Sequence, residues 1–173
     1  AVITVTLNND ATGNVSVVID GKSNTTQLNN GLAVLTISNL NAGQNKLVNV
    51  SYSGDNNYKK ATNTNTFNIN KAVLDFIINS NDIKIGREEN IEIILPAHSG
   101  GTITLTGIRT EVKNVTLSGI VKVTYSDLEN GTYTVFAQYN GDNYQTVSKS
   151  TSFTVSLWDE PQWANDGGDI RHT

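Results

Sequence analysis

The chain has 173 residues, enough for one large domain or two small ones, with 12 Lys and Arg against 16 Asp and Glu and a formal net charge of −4. This weakly acidic balance does not favour nucleic acid or an anionic membrane as a partner, and the absence of cysteine excludes disulfides, zinc–thiolate sites and thiol nucleophiles. No stretch approaches the roughly 18 consecutive apolar residues of a membrane helix, so we expect no membrane contact within this chain.

Asparagine and threonine dominate the composition, with 24 Asn and 21 Thr. Both residues disfavour helix interiors because their side chains compete for backbone hydrogen bonds, whereas Thr favours strands and Asn favours turns. Val, Ile and Thr alternate along much of the chain, which is not typical of a disordered polar sequence. The composition therefore predicts an all-β protein.

The chain contains an internal repeat. Residues 88 apart match over a long span, and the match continues beyond two one-residue gaps. Such a repeat predicts two units of the same fold in tandem. The aligned pairs include Leu7 with Leu95, Gly13 with Gly101, Gly31 with Gly119, Tyr52 with Tyr139, Tyr58 with Tyr144 and Phe67 with Phe153.

The repeat divides the chain into residues 1–70, 71–156 and 157–173. The second part is a complete unit, whereas the first has no counterpart of the apolar run at 73–78 or of the residues that follow it up to Glu88. We therefore expect two tandem immunoglobulin-like (Ig-like) β-sandwiches, the first without its N-terminal strand, and an irregular C-terminal tail. Because the chain begins inside a repeat, we expect it to be a piece of a longer repetitive protein.

Strand signals in the second unit come at the short spacing of an Ig-like sandwich. The predicted strands cover residues 73–78, 83–85, 91–95, 102–105, 114–117, 120–125, 132–139 and 144–155. Asn-Gly and Asp-Gly pairs accept the positive φ of tight hairpin turns. Such pairs stand between strands at Asp20-Gly21, Asn30-Gly31, Asn130-Gly131 and Asn140-Gly141.

The strand at 132–139 shows the clearest alternation. Its opposite face is mostly polar, apart from Phe136. In the first unit Lys46 takes the place of Tyr133, which predicts a β-bulge at that point. The face that we expect to point into the core carries Tyr133, Val135, Ala137 and Tyr139.

Each unit ends in a related motif. Gly131-Thr-Tyr-Thr-Val-Phe-Ala-Gln-Tyr-Asn-Gly-Asp-Asn-Tyr144 and Tyr52-Ser-Gly-Asp-Asn-Asn-Tyr58 resemble the ends of bacterial-type Ig-like repeats in large surface proteins. The Asn- and Thr-rich texture, with segments 10–21 and 82–86, is similar to the adhesin-like proteins of methanogenic archaea. The resemblance covers residues 1 to about 156. It implies an extracellular, cell-surface location, with the parent protein anchored outside this chain.

The Gly-Asp turns of these motifs have two interpretations. Each supplies one carboxylate, Asp55 or Asp142, whereas calcium takes several oxygen ligands. We therefore expect each Asp to close its turn through its side chain, and the nearby tyrosines to anchor the corner of the sheet. This structural set consists of Tyr52, Gly54, Asp55, Tyr58, Tyr139, Gly141, Asp142 and Tyr144.

The sequence offers little for catalysis. The two histidines, His98 and His172, lie in different segments, which leaves almost nothing for a two-histidine metal site or a Ser-His-Asp arrangement. We expect no enzymatic activity, no metal and no cofactor. The densest acidic cluster is expected to be a solvated strand edge that resists pairing, and it consists of Asp82, Glu88, Glu89 and Glu92.

Five Asn-x-Ser/Thr triplets are candidate glycosylation sites if the protein is exported by a glycosylating cell. A chain so rich in Asn and Thr contains several triplets by chance, so their number proves little. Asn24 and Asn114 are the better candidates because they stand in expected connecting or edge segments. The five residues are Asn14, Asn24, Asn49, Asn114 and Asn130.

The tail from Leu157 breaks the strand pattern and holds both tryptophans. Segment 162–173 resembles the start of a pyrroloquinoline-quinone-type β-propeller, which implies a propeller as the next domain. The alternative is a linker whose tryptophans pack on the end of the second sandwich. If the chain binds a carbohydrate, Trp158 and Trp163 are the expected stacking platforms.

These observations favour a non-catalytic extracellular stalk or adhesion module of an adhesin-like surface protein, in which neighbouring repeats stack end to end. The alternatives are a carbohydrate-binding module and an appendage of a larger surface enzyme. The expected partners are neighbouring repeats of the same protein and cell-surface polysaccharide or the surface of another cell. The missing first strand also predicts either a disordered or incomplete first sandwich or a strand from another chain that fills the gap at its open edge.

Overall fold

A computed structural model describes residues 1–159, and this part of the chain is all-β, with fourteen strands and no helix. Residues 1–159 therefore contain no candidate membrane-spanning helix. Three features of the tail that the sequence singles out, Trp163, His172 and the propeller-like segment 162–173, lie outside the described residues.

The chain divides into two compact units. Of the described residues, unit one consists of 1–72 with 142–144, and unit two of 73–141 with 145–159. Unit one contains a two-stranded sheet, β1-β4, and a four-stranded sheet in the order β3-β2-β5-β6. Its strands are β1 (Val2–Thr6), β2 (Asn14–Ile19), β3 (Lys22–Gln27), β4 (Leu32–Thr36), β5 (Gly43–Tyr52) and β6 (Ala61–Ile69).

Unit two has one sheet in the order β12-β9-β7 and a five-stranded sheet in the order β11-β10-β13-β14-β8. The pairing of β8 with β14 is parallel, and the other strand pairs of the unit are antiparallel. Its strands are β7 (Ile77–Asn79), β8 (Ile83–Lys84), β9 (Glu89–Ile94), β10 (Thr102–Thr106), β11 (Glu111–Asn114), β12 (Ile120–Tyr125), β13 (Gly131–Asn140) and β14 (Val147–Ser156).

The two units share one topology, apart from two strands. The β1-β4 sheet of unit one corresponds to β9 and β12, and strands β2, β3, β5 and β6 correspond to β10, β11, β13 and β14. Strands β7 and β8 have no counterpart among the described strands of unit one. The predicted fold class, two tandem Ig-like sandwiches of which the first lacks its N-terminal strand, is therefore confirmed.

Each unit has its own apolar core between its two sheets. In unit one Val15, Val17 and Leu35 are among the buried side chains, and in unit two Ile93 and Tyr125 are fully buried. The predicted orientation of β13 is confirmed, since Phe136 is exposed on the opposite face and the ring of Tyr133 stacks on that of Phe153, with 5.6 Å between their centroids. The fully buried residues of its inward face are Val135, Ala137 and Tyr139.

Two of the predicted turns have the required backbone. Asp20 and Gly21 connect β2 to β3 with φ values of 49° and 74°, and Asn30 and Gly31 precede β4 with 51° and 73°. At Asn130 and Asn140, by contrast, φ is not positive. The predicted bulge at Lys46 is confirmed, because the register of β5 against β6 shifts between Gly43 and Lys46.

Two predicted strands are shifted. The run at 73–78 forms a ladder only from Ile77, because its register against β9 brings residue 75 opposite Pro96, which has no N–H to donate. The strand predicted at 114–117 is β11, which ends at Asn114. The N–H of Val115 still donates to the carbonyl of Gly101 at 3.0 Å. Residues 116–119 then leave the ladder because the N–H of Gly119 donates to the carbonyl of Thr116 at 2.9 Å and closes a turn.

The prediction that the acidic cluster is a solvated edge is wrong for Glu89, whereas Asp82 and Glu88 are exposed. Strand β9 is the central strand of its sheet, and the side chain of Glu89 is only 1 % exposed. Its carboxylate accepts a hydrogen bond from the N–H of Asn81 at 2.8 Å. Asp82 accepts one from the N–H of Thr154 at 2.7 Å, and Glu92 pairs with Lys122. The three carboxylates hold the segment around β7 and β8 and the central strand in place.

Candidate functional site

Unit one has an open groove between its two sheets, with a volume of about 670 Å³. Strand β1 forms one wall, β6 forms the other through residues 63–67, and Val48 and Val50 of β5 lie on the floor. We call this feature the β1–β6 groove. In unit two the corresponding edges are covered by β7 and β8.

Both walls of the groove are free strand edges. Among the strands of residues 1–159, β1 pairs only with β4, and β6 pairs only with β5. In unit two the corresponding edges are covered, because β7 pairs with β9 and β8 pairs with β14. A free strand edge presents unpaired backbone donors and acceptors, and these can bind another extended segment.

Burial shows the same difference. The inward side chains of β1, Ile3 and Val5, are half-buried, whereas their repeat counterparts Ile91 and Ile93 are 0 % exposed. Phe67 of β6 is also half-buried, and its counterpart is 2 % exposed. The groove thus exposes apolar surface that the same fold buries in unit two.

The chemistry of the groove is simple. Its floor and walls carry Val, Ile and Phe, and its rim carries Thr and Asn, with no ionisable side chain among the lining residues. Such a surface can accept apolar side chains and backbone hydrogen bonds. It contains no side chain suited to general acid–base catalysis or to binding a charged ligand.

The corner of unit one is organised by Asp55. One carboxylate oxygen accepts hydrogen bonds from the N–H of Thr12 at 2.7 Å and from its hydroxyl at 3.0 Å. The other accepts from the N–H groups of Asn57 and Tyr58 at 2.8 Å and 2.7 Å. With both oxygens engaged, the side chain closes the turn and ties it to the loop between β1 and β2.

The tyrosines around this corner bind the same loop. The hydroxyl of Tyr52 donates to the carbonyl of Thr12 at 2.7 Å, and that of Tyr58 donates to Asp10 at 2.8 Å. Gly54 has φ of +78° and lies close to the backbone of residues 58–60, so a side chain has no room there. The predicted corner residues of unit one are therefore brought together.

In unit two the hydroxyl of Tyr139 donates to the carbonyl of Ser99 at 3.1 Å. Gly141 lies against the ring of Tyr139, Asp142 is exposed, and Tyr144 is half-buried. The contact from the equivalent tyrosine to an upstream carbonyl thus recurs in both units, with acceptors one repeat position apart.

We expect Asp55 to make the stability of unit one depend on pH. The N–H of Thr12 first, and then those of Asn57 and Tyr58, hold the pKa of the Asp55 carboxyl well below its usual range. Because this pKa is lower in the folded chain than in the unfolded chain, the stabilisation is present above about pH 4 and is lost as the pH falls further. Asp55→Asn should therefore lower the Tm of unit one at pH 7, with a smaller effect at pH 2.5, in thermal unfolding followed by circular dichroism.

Asp159→Asn is the control for this experiment, since the Asp159 side chain is 94 % exposed and makes only a 3.4 Å contact to Lys84. Its effect on Tm should be small at every pH. A Tm difference between the wild type and Asp55→Asn that stays constant from pH 7 to pH 2.5 would contradict the assignment.

Trp158 lies just after β14, and the residue is 56 % exposed. Its indole N–H donates to the carbonyl of Ile85 at 3.2 Å, and the guanidinium of Arg87 lies 5.6 Å from the ring centroid. The ring is thus fixed to unit two and partly accessible. Trp163, the other predicted platform, lies outside the described residues.

All five candidate glycosylation sites are exposed. Asn24 and Asn114 lie on β3 and β11, which are edge strands, whereas Asn49 lies on the central strand β5. The side-chain amide of Asn24 donates to the carbonyl of Thr36 at 3.0 Å. The two remaining sites are at the start of β2, Asn14, and just before β13, Asn130.

Sequence reasoning missed the buried carboxylate of Glu89, because a Glu beside Glu88 on a strand resembles a surface residue. The ion pairs of the described residues are at least partly exposed, as in Lys113–Glu111 at 2.8 Å and Lys149–Asp75 at 2.7 Å. Residues 1–159 contain no group of three His, Asp or Glu side chains arranged to hold a metal ion.

Comparison with known proteins gives one family. A family model described as Bacterial Ig-like domain (group 3) matches residues 1–70 and 79–157, so that it covers both units. No curated protein matches the chain. The second match begins after the run at 73–78 that supplies the first strand of unit two.

Proposed function

The chain belongs to the bacterial Ig-like domain family (group 3), and from this we propose that it is a non-catalytic stalk segment of an adhesin-like surface protein. Domains of this family are generally extracellular or surface modules. The observation that carries the proposal is that two units of one fold follow each other directly in the chain, each with its own core. Such repeats extend a protein by repetition and need no ligand site of their own.

The proposed partners follow from this role. Neighbouring repeats of the same protein are the immediate contacts of a stalk, and adhesion is assigned to another part of the parent protein. Candidate sugars at the exposed Asn-x-Ser/Thr sites lie away from the cores, so their attachment is compatible with the fold.

A second candidate function, carbohydrate binding, is favoured by one observation. Trp158 presents a partly exposed ring, which is held in place by the hydrogen bond from its indole N–H to the carbonyl of Ile85. Sugar-binding sites use such rings as stacking platforms. Arg87 lies beside the ring and supplies hydrogen-bond donors.

A binding screen separates the two functions. The chain, Trp158→Ala and the control Leu157→Ala are applied to a glycan array and to cell-wall polysaccharides; Leu157 is a neighbouring side chain with 59 % exposure. For a stalk, we expect no variant to bind. Binding by the wild type and by Leu157→Ala, with at least about tenfold weaker binding by Trp158→Ala, would overturn the stalk proposal and establish a recognition module.

A further inference from the structure

We infer that β8 and the end of β14 form a mechanical clamp in unit two, a contact that resists being pulled apart along the strand axis. The two segments in contact are residues 80–85, which include β8, and residues 151–158, which include the end of β14. We call this contact the β8–β14 clamp. The inference deepens the proposed stalk function and rests on it for its role, because a stalk transmits tension along the chain.

The direction of the two strands determines how tension acts on the clamp. Strand β8 is parallel to β14, with Ile83 opposite Val155 and Lys84 opposite Ser156. Tension along the chain pulls β8 at its N-terminal end and β14 at its C-terminal end. In a parallel pair these two forces point in opposite directions along the strand axis. The strands are therefore sheared, and the bonds between them resist the force together rather than one after another.

Side chains extend this short ladder on the N-terminal side of β8. The carboxylate of Asp82 accepts a hydrogen bond from the N–H of Thr154 at 2.7 Å. Two residues earlier, the hydroxyls of Ser80 and Thr151 lie 2.7 Å apart. These bonds connect the same two segments as the ladder, so they are loaded in the same direction.

Further bonds extend the contact on the C-terminal side. The N–H of Ile85 donates to the carbonyl of Ser156 at 2.9 Å, and the ammonium group of Lys84 donates to that of Leu157 at 3.0 Å. The indole N–H of Trp158 donates to the carbonyl of Ile85 at 3.2 Å. A ladder of two residue pairs thus becomes a contact along the whole length of both segments.

The two sides of the clamp are held in unit two to different degrees. On its other edge β14 pairs with β13 over nearly its full length, and Phe153 and Val155 are 2 % and 0 % exposed. Strand β8 lies at the edge of the sheet, and Ile83 and Ile85 are only half-buried. Under tension β8 is therefore the side that detaches, and the clamp determines the force at which unit two opens.

The test pulls the whole chain in optical tweezers through two engineered cysteines, since the chain contains no other cysteine. The shear pair, Asn79→Cys with Leu157→Cys, attaches to opposite ends of the clamp. The control pair, Glu88→Cys with Leu157→Cys, attaches to the same end, so that the bonds open one at a time. All three side chains are exposed. At equal force we expect unit two to unfold at least about tenfold more slowly with the shear pair.

Ile85→Pro tests the clamp in the shear pair. The N–H of Arg87 donates to the carbonyl of Lys84 at 3.0 Å, and Gly86 has φ of +79°, so that Ile85 stands in a type II turn at the position that favours proline. The variant keeps this turn and removes the N–H that binds Ser156. We expect it to unfold about tenfold faster under shear.

Val121→Ala is the control, because Val121 is 4 % exposed and lies in the other sheet, on β12. It should lower the Tm of unit two but leave the rate of unfolding under shear within about threefold, since β12 is still packed when β8 detaches. Equal rates in the two pulling directions, an unchanged rate for Ile85→Pro, or an equally increased rate for Val121→Ala would overturn the clamp. The glycan screen tests the stalk role separately, because sugar binding overturns the stalk without changing the response to force.

Discussion

Replacing Phe76 with alanine is expected to lower the free energy of unfolding of unit two by about 3–5 kcal/mol. The side chain is 2 % exposed in the core, and the ammonium group of Lys149 lies 5.7 Å from its ring centroid. Truncation leaves a cavity and removes this contact. The measurement is urea unfolding, with the transition of unit two identified from its own amide signals in NMR spectra.

Ile77→Ala is the matched control, because Ile77 is the next residue and its side chain is 57 % exposed. This substitution should lower the free energy of unfolding of unit two by less than about 1 kcal/mol. Equal effects of the two substitutions would mean that the segment before β9 does not contribute to the core.

Replacing Gly119 with alanine is expected to destabilise unit two by at least about 3 kcal/mol. Gly119 has φ of +79°, and a Cβ there would lie 2.2 Å from the carbonyl oxygen of Leu95. That oxygen belongs to backbone, and the neighbouring Leu95 N–H is bonded to the Gly119 carbonyl at 2.9 Å, so neither group can move freely. The clash adds to the cost of the left-handed backbone.

Gly86→Ala separates the free-energy cost of the steric clash from that of the left-handed backbone. Gly86 has the same φ of +79°, but a Cβ there meets no atom within 4 Å. We expect it to cost about 1–2 kcal/mol, the strain of the left-handed conformation alone. In calorimetry, Gly119→Ala should show the larger fall in Tm of the two. A fall in Tm no larger than that of Gly86→Ala would show that the loop relaxes and that the close approach is unimportant.

Part of the molecule could be predicted from sequence because the signals are local. The inward face of β13 follows from strict alternation, and the turn at Asp20-Gly21 follows from the preference of those residues for positive φ. The bulge at Lys46 and the missing first strand follow from aligning the two repeats. Each of these inferences needs only the residues of one strand, one turn or its repeat counterpart.

Other features depend on which strands become neighbours. The burial of Glu89 is decided by the central position of β9 in its sheet, and by an N–H from Asn81 that the carboxylate can bind. The β7 ladder begins only at Ile77 because the register brings residue 75 opposite Pro96. Neither pairing can be read from the run of apolar residues alone.

The sequence by itself determined the all-β class, the tandem repeat and the lack of a counterpart of the run at 73–78 within residues 1–70. Only the tertiary structure showed that this absence leaves a groove of about 670 Å³ between two free edges, with Val5 and Phe67 half-buried. The physical reason is that the alternation of apolar and polar residues shows which face of a strand is apolar, whereas the burial of that face depends on residues far away in the chain. In unit one β1 and β6 are separated by more than fifty residues, and only the fold brings them to the two sides of one opening.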